Sequence, residues 1–138
     1  MAVKSIAFIN FKGGVGKTAL TVNLAACLSY YFQKRVLVAD LDPQCNASFW
    51  LMNPQDWKSH VAGGRNSTYQ IFDDQIVGKH QFDFDSAVVR GVPRKEFPLI
   101  ANLDLLPASV ELLTIEDKIY QNRYARFLNT CTGPSRNL

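Results

Sequence analysis

VKSIAFINFKGGVGKTAL, residues 3–20, is the stretch whose reading decides the fold. Its opening, VKSIAFI at 3–9, is apolar enough for a buried parallel strand. Glycines at 13, 14 and 16 interrupt that pattern, and a helical one starts near Lys17. Leu20, Leu24, Leu28 and Tyr31 recur at three- to four-residue spacing, with Val22, Ala25 and Ala26 widening the apolar face. Arg35 then leads into VLVAD, residues 36–40, a second buried strand. Strand, glycine loop, helix and strand in this order form a βαβ unit, which predicts an α/β fold with a mostly parallel sheet and flanking helices.

The loop itself, Lys12-Gly13-Gly14-Val15-Gly16-Lys17-Thr18, carries the chemistry. Glycines let a backbone curl around phosphate oxygens without Cβ obstruction. The loop N–H groups and the N-terminus of the following helix converge on negative charge. Lys17 reaches β- and γ-phosphates, and the Thr18 hydroxyl ligates magnesium. The usual G-x-x-x-x-G-K-[ST] pattern fails formally, because Phe11 stands at its first glycine. A plain glycine-rich turn between strand and helix is the competing reading. A second acidic motif, Asp40-Leu41-Asp42-Pro43-Gln44, follows the second strand. Carboxylates at the C-terminal end of a parallel strand lie where α/β ligand sites form. Asp40 and Asp42 can act there through magnesium and water, or one of them can simply cap the Asp-Pro turn.

The rest of the chain is less explicit. Residues 43–51 turn and begin a short helix, and 53–66 (NPQDWKSHVAGGRN) form a polar, mobile connection. Thr68 to Val77 is a helix, Val88–Val89 a short strand within a poorly determined 78–98, and Leu103 to Leu106 a strand ended by Pro107. Ser109 caps a helix running to about Leu128, with Glu111 in its first turn, and 130–138 (TCTGPSRNL) reads as frayed coil. At 138 residues and 47% hydrophobic content the chain suits one α/β domain without repeats. It has no run of 18 apolar residues to cross a membrane and no secretory leader pattern. Cys27, Cys45 and Cys131 form no metal pattern and read as free thiols of a cytoplasmic protein. A net charge of +3 does not by itself imply nucleic-acid binding.

Lys12 sharpens the reading of the loop. KGGVGKT resembles the deviant Walker A ATPases of the ParA/MinD type, whose loop begins with a second, signature lysine. Asp40-Leu41-Asp42-Pro43-Gln44 resembles the family's D-x-D-P-Q segment, and LDLLPAS at 103–109 is similar to a core strand of the ParA-like (Soj-like) partition ATPases. The resemblance implies a P-loop NTPase sheet and binding of ATP or ADP with Mg2+ through Lys12, Gly13, Gly14, Val15, Gly16, Lys17, Thr18 and Ala19. It implies Lys17 as the in-place phosphate lysine and Lys12 as the lysine that reaches nucleotide across a sandwich dimer. It makes Asp42 the catalytic residue beside the two lysines, holding the attacking water, and places Thr18 and Asp40 at the metal. Cys45 departs from the family, which often has glycine there.

The family's Walker B strand, an apolar run ending in aspartate, has no counterpart after residue 109. The resemblance therefore implies that residues 1–130 correspond to the N-terminal part of the ATPase domain, with 131–138 a disordered or truncated tail. It also implies an ATP-dependent homodimer, a centromere-binding adaptor protein, non-specific DNA contacted mostly through regions beyond this chain, no membrane, and nucleoid association within the cytoplasm. Slow hydrolysis of the γ-phosphate drives chromosome or plasmid partition in such proteins. A MinD-like division-site ATPase and a nucleotide-gated interaction module or hydrolysis-defective fragment are the alternatives.

Overall fold

Two parallel strands, β1 (Val36–Ala39) and β2 (Leu103–Leu106), pair in register from Val36 with Leu103 to Ala39 with Leu106. The computed structural model describes residues 3–10, 12–92 and 100–131. Ahead of β1 stands α1 (Lys17–Tyr30); between the strands come α2 (Asn46–Leu51), α3 (Pro54–His60), α4 (Thr68–Val77) and α5 (Phe84–Ala87). A single 3-10 turn, Ala62–Gly64, separates α3 from α4, and another, Val110–Thr114, leads from β2 into α6 (Ile115–Cys131). The helical connection from β1 to β2 is what parallel pairing demands, since a tight turn can only join antiparallel strands.

Apolar side chains explain the layering. Val22 and Ala25 of α1, Val38 of β1, Ala47 and Leu51 of α2, and Leu103 and Leu105 of β2 share one buried core with Val89 and Val92. A smaller cluster joins Ala87, Val88 and Leu106 to Ile71 and Phe82. The chain from Tyr31 to Arg35 returns α1 to the start of β1 in five residues. That turn depends on Gln33, whose φ of +51° bends the chain so that Lys34 N–H bonds Leu28 O at 3.0 Å. A helix that packs on a strand after so short a return runs antiparallel to it. The N-terminus of α1 therefore faces the C-terminal ends of the strands.

Several expectations hold: Thr68–Val77 and Leu103–Leu106 have the predicted bounds, and α2 follows the Asp-Pro turn. Others need correction. Residues 3–9 form no strand, and Val3, Ile6 and Ile9 are 93%, 64% and 84% exposed. Apolar character suits a strand to burial but does not supply the neighbour whose N–H and C=O groups complete it. Among the described residues β1 pairs only with β2, so the predicted βαβ unit from 3–9 to 36–40 does not form. Val88–Val89 is no strand either; Val89 makes one antiparallel bridge to Leu105. The tail from residue 132 lies outside the described residues, while Thr130 and Cys131 belong to α6.

The connection at 53–66 is helical rather than irregular. Asn53 caps α3 by accepting from Gln55 N–H at 2.9 Å, Pro54 occupies the first turn, and Lys58 and His60 sit in the last. Trp57 pins this helix, donating from Nε1 to Ala108 O at 2.9 Å and meeting Phe49 edge-on at 4.8 Å. After Ser109 the chain first tightens into the 3-10 turn, with the Ser109 and Glu111 side chains hydrogen-bonded, before α6 begins. Lys118 of α6 then reaches Asp73 and the Tyr69 hydroxyl of α4.

Gly64 is the tightest point of this arrangement. Its φ is +77°, and a Cβ built there meets the Tyr69 ring at 2.3 Å. Gly64→Ala is expected to lower stability by about 2–4 kcal/mol, because it adds both backbone strain and overpacking. Urea unfolding followed by circular dichroism measures the loss, and an unchanged midpoint refutes the packing described.

Candidate phosphate-binding site

The loop ahead of α1 is exposed from Lys12 to Gly16, and Lys17, Thr18 and Ala19 are half-buried as the helix begins. Lys12 N–H bonds Asn10 Oδ1 at 2.9 Å, and Lys17 Nζ folds back to Lys12 O at 3.3 Å. The two lysines of the motif are thus latched to one another through backbone. Gly16, the residue before α1, has φ +83°, and a Cβ there meets nothing within 4 Å. Glycine is required at that point by backbone conformation, not by crowding from protein. No side chain caps α1 and no acidic residue lies in its first turn. The helix thus presents unsatisfied N–H groups and the positive end of its dipole to whatever lies above the loop.

Thr18 differs from Thr21 and Asn23 of this helix. Thr21 Oγ1 donates to Lys17 O at 2.8 Å and Asn23 Nδ2 to Ala19 O at 2.7 Å. The Thr18 hydroxyl makes no such bond among the described residues. Uncapped amides, an ammonium at the loop and an unengaged hydroxyl fit a magnesium-bound phosphate chain, which takes oxygen ligands and suits few protein donors.

At the end of β1 the two aspartates part company. Asp40 is 5% exposed, and its N–H continues the ladder to Leu106 O at 3.0 Å. Its Oδ1 accepts from Asp42 N–H at 3.2 Å, and Oδ2 accepts from Ser48 N–H at 2.9 Å and Ser48 Oγ at 2.7 Å. Its carbonyl accepts from Thr68 Oγ1 at 2.8 Å. Asp42 is half-buried, and among the described residues its Oδ1 accepts only from Gln44 N–H, at 2.9 Å. Asp42 is thus the freer carboxylate, and Asp40 is built into the protein. Among the described residues no group of three His, Cys, Asp or Glu gathers to hold a metal.

Cys45 closes this turn from a left-handed conformation, φ +56°, and is wholly buried. Its Sγ donates to Pro43 O at 3.4 Å. Burial, reinforced by the charges of Asp40, Asp42 and Glu111, pushes its thiol up to about 12. A thiol held protonated is inert as a nucleophile. The shallow depression lined by Arg35, Val36, Leu37, Phe84, Arg90 and Asp104 lies toward the start of the strands and includes none of these site residues.

Ser48 and Thr68 were not legible as site residues. Ser48 stands eight positions after Asp40 and Thr68 a further twenty, without a spacing that marks their meeting. Only the fold brings them to one aspartate, Ser48 to its carboxylate and Thr68 to its main-chain carbonyl.

A family profile described as AAA domain matches residues 3–130. The sporulation initiation inhibitor protein Soj of Bacillus subtilis is 37% identical over 113 residues, 82% of this chain and 37% of that one. The chromosome-partitioning ATPase Soj of Treponema pallidum is 35% identical over 116 residues, 83% of this chain and 39% of that one. A crystal structure of a protein from Corynebacterium diphtheriae matches with a TM-score of 0.62 at 31% identity, covering 92% of this chain and 43% of that one. The chain belongs to the AAA domain family, among its ParA-like P-loop ATPases. It spans 37% and 39% of the length of these two curated relatives. Among the described residues no helix is long and apolar enough to cross a membrane.

Cys45 offers a check on this corner of the site. In the folded protein at pH 8, iodoacetamide is expected to leave Cys45 unmodified and to reach half-buried Cys27 sooner. In urea Cys45 reacts freely. Peptide mass mapping reads both, and rapid native labelling of Cys45 refutes its burial.

Proposed function

We propose that this chain is the nucleotide-binding part of a ParA-like partition ATPase, which binds ATP with Mg2+, dimerises on doing so, and hydrolyses the γ-phosphate slowly. The single observation that carries the reading is the loop from Lys12 to Thr18, with Gly16 in a left-handed conformation before an uncapped helix. The name of the similar Treponema pallidum protein, chromosome-partitioning ATPase Soj, supports partition as the process served.

In this reading Lys17 leaves the Lys12 carbonyl to bind β- and γ-phosphate, and the amides at the start of α1 hold the phosphate chain. Lys12, at the exposed edge, serves nucleotide bound by a second copy. Magnesium, when bound with nucleotide, neutralises phosphate charge, with Thr18 as its protein ligand. Asp42 holds water in line with the γ-phosphate, and the two lysines offset the charge that develops as the bond breaks. Asp40, with both carboxylate oxygens engaged by protein donors, serves this site better as a support than as a direct metal ligand. The adaptor protein, non-specific DNA and a nucleoid location in the cytoplasm belong to the same proposal, for the complete protein.

The two lysines separate binding from assembly. Lys17→Ala is expected to weaken ATP and ADP binding about 10- to 100-fold, the loss of a charge-assisted bond, with the circular dichroism spectrum unchanged. Lys12→Ala in the full reading frame should keep most binding and lose dimerisation with a non-hydrolysable ATP analogue. Calorimetry and light scattering measure these. Unaltered affinity in folded Lys17→Ala discards the phosphate-loop assignment.

A further inference from the structure

We infer that Ser48, through Asp40, is a positioning residue for Asp42, so that a buried serine on α2 sets the geometry of the hydrolytic carboxylate. The inference rests on the hydrolytic reading of Asp42 given above. It starts from how little else holds that residue: among the described residues the Asp42 carboxylate accepts from Gln44 N–H alone, within its own turn. What fixes the Asp42 backbone is its N–H bond to Asp40 Oδ1 at 3.2 Å and the bond from Cys45 N–H to Asp42 O at 2.8 Å.

Asp40 in turn is aimed by a directional chain. Ala108 N–H donates to Ser48 Oγ at 2.9 Å, and the Ser48 hydroxyl donates onward to Asp40 Oδ2 at 2.7 Å. Ser48 N–H adds a second bond to the same oxygen at 2.9 Å. Thr68 holds the other side, with Oγ1 on Asp40 O at 2.8 Å and its N–H on Pro107 O at 2.9 Å. Ser48 and Ala108 are fully buried and Thr68 is 1% exposed, so water cannot replace a deleted partner. The chain therefore ties the end of β1 to α2, α4 and the segment after β2, with Asp42 two residues from the knot. None of these bonds involves Lys12 to Thr18.

That separation yields a split in kinetics. A reacting group displaced by about 1 Å loses on the order of 10²-fold in rate, whereas ground-state phosphate binding through the loop is untouched. In the full reading frame, Ser48→Ala should lower kcat about 10- to 100-fold and leave ATP affinity within about twofold. Ser48→Thr, which keeps the hydroxyl, should recover most of the rate. Thr68→Val, which deletes only the bond to the Asp40 carbonyl, provides a second variant should Ser48→Ala not fold, and should give the same split. Asp42→Ala runs alongside. Loss of turnover in Asp42→Ala with wild-type turnover in folded Ser48→Ala overturns the positioning role alone. Equal loss of kcat and affinity in a folded Ser48→Ala also overturns it, as the mark of a general structural role. Wild-type turnover in Asp42→Ala, or a wild-type protein that binds ATP without hydrolysing it, overturns the hydrolytic reading and this inference together.

Discussion

Burying a carboxylate is tolerable only where donors occupy its oxygens, and Asp40 sits under that constraint at the end of β1. The strands contribute four residues each, too few for ladder bonds alone to fix the directions of everything around them. Asp40 makes up the difference. It takes donors from α2 and from its own turn, while Thr68 at the start of α4 bonds its carbonyl. The Ser48 hydroxyl, already bound to Asp40, is also the acceptor for Ala108 beyond β2. The ends of both strands are thus tied across polar groups, while Val38, Leu103 and Leu105 pack the same strands from the apolar side. Polar seam and apolar core act on the same few residues from opposite directions.

The likeness to ParA-like proteins was legible in three short stretches, KGGVGKT, DLDPQ and LDLLPAS. KGGVGKT and DLDPQ name their chemistry by composition and order, because phosphate needs close amides and a lysine whatever the surrounding fold. Leu103–Leu106 and Thr68–Val77 were legible because clear signals bound them: Pro107 ends the strand and Gly78, at φ +75°, ends the helix. The run at 3–9 failed as a strand for the opposite reason, since pairing is a property of two segments and one segment reveals only half of it. The helix at Pro54–His60 was signalled by Asn53-Pro54 and its basic last turn, but two glycines and polar residues nearby drew attention to loop character instead. Ser48 and Thr68 lay beyond local reading altogether. Their partners are named by geometry, and serine and threonine are common enough in helices to carry no mark of their own.

The candidate site is built from two segments that share no hydrogen bond among the described residues. The loop from Lys12 to Gly16 is exposed and shaped by glycine dihedrals, and Lys17 and Thr18 are half-buried where α1 begins. The turn from Asp40 to Ser48 is anchored at buried Asp40, Cys45, Ala47 and Ser48, and both carboxylate oxygens of Asp40 accept from protein donors. Cys45 belongs to the second segment. Charge from Asp40, Asp42 and Glu111 adds to its burial in holding the thiol neutral, which spares the turn a further negative group beside two aspartates.

The two tryptophans of this chain stand in contrasting surroundings, and that makes the molecule optically informative. Trp57 has its indole N–H engaged by Ala108 O and its ring against Phe49, while Trp50 is 55% exposed on α2. Ala108 is also the residue whose N–H reaches Ser48, so emission from Trp57 is tied to the same segment that aims Asp40. An external quencher silences Trp50 first and leaves a native signal that follows the joint between the second strand and the aspartate turn.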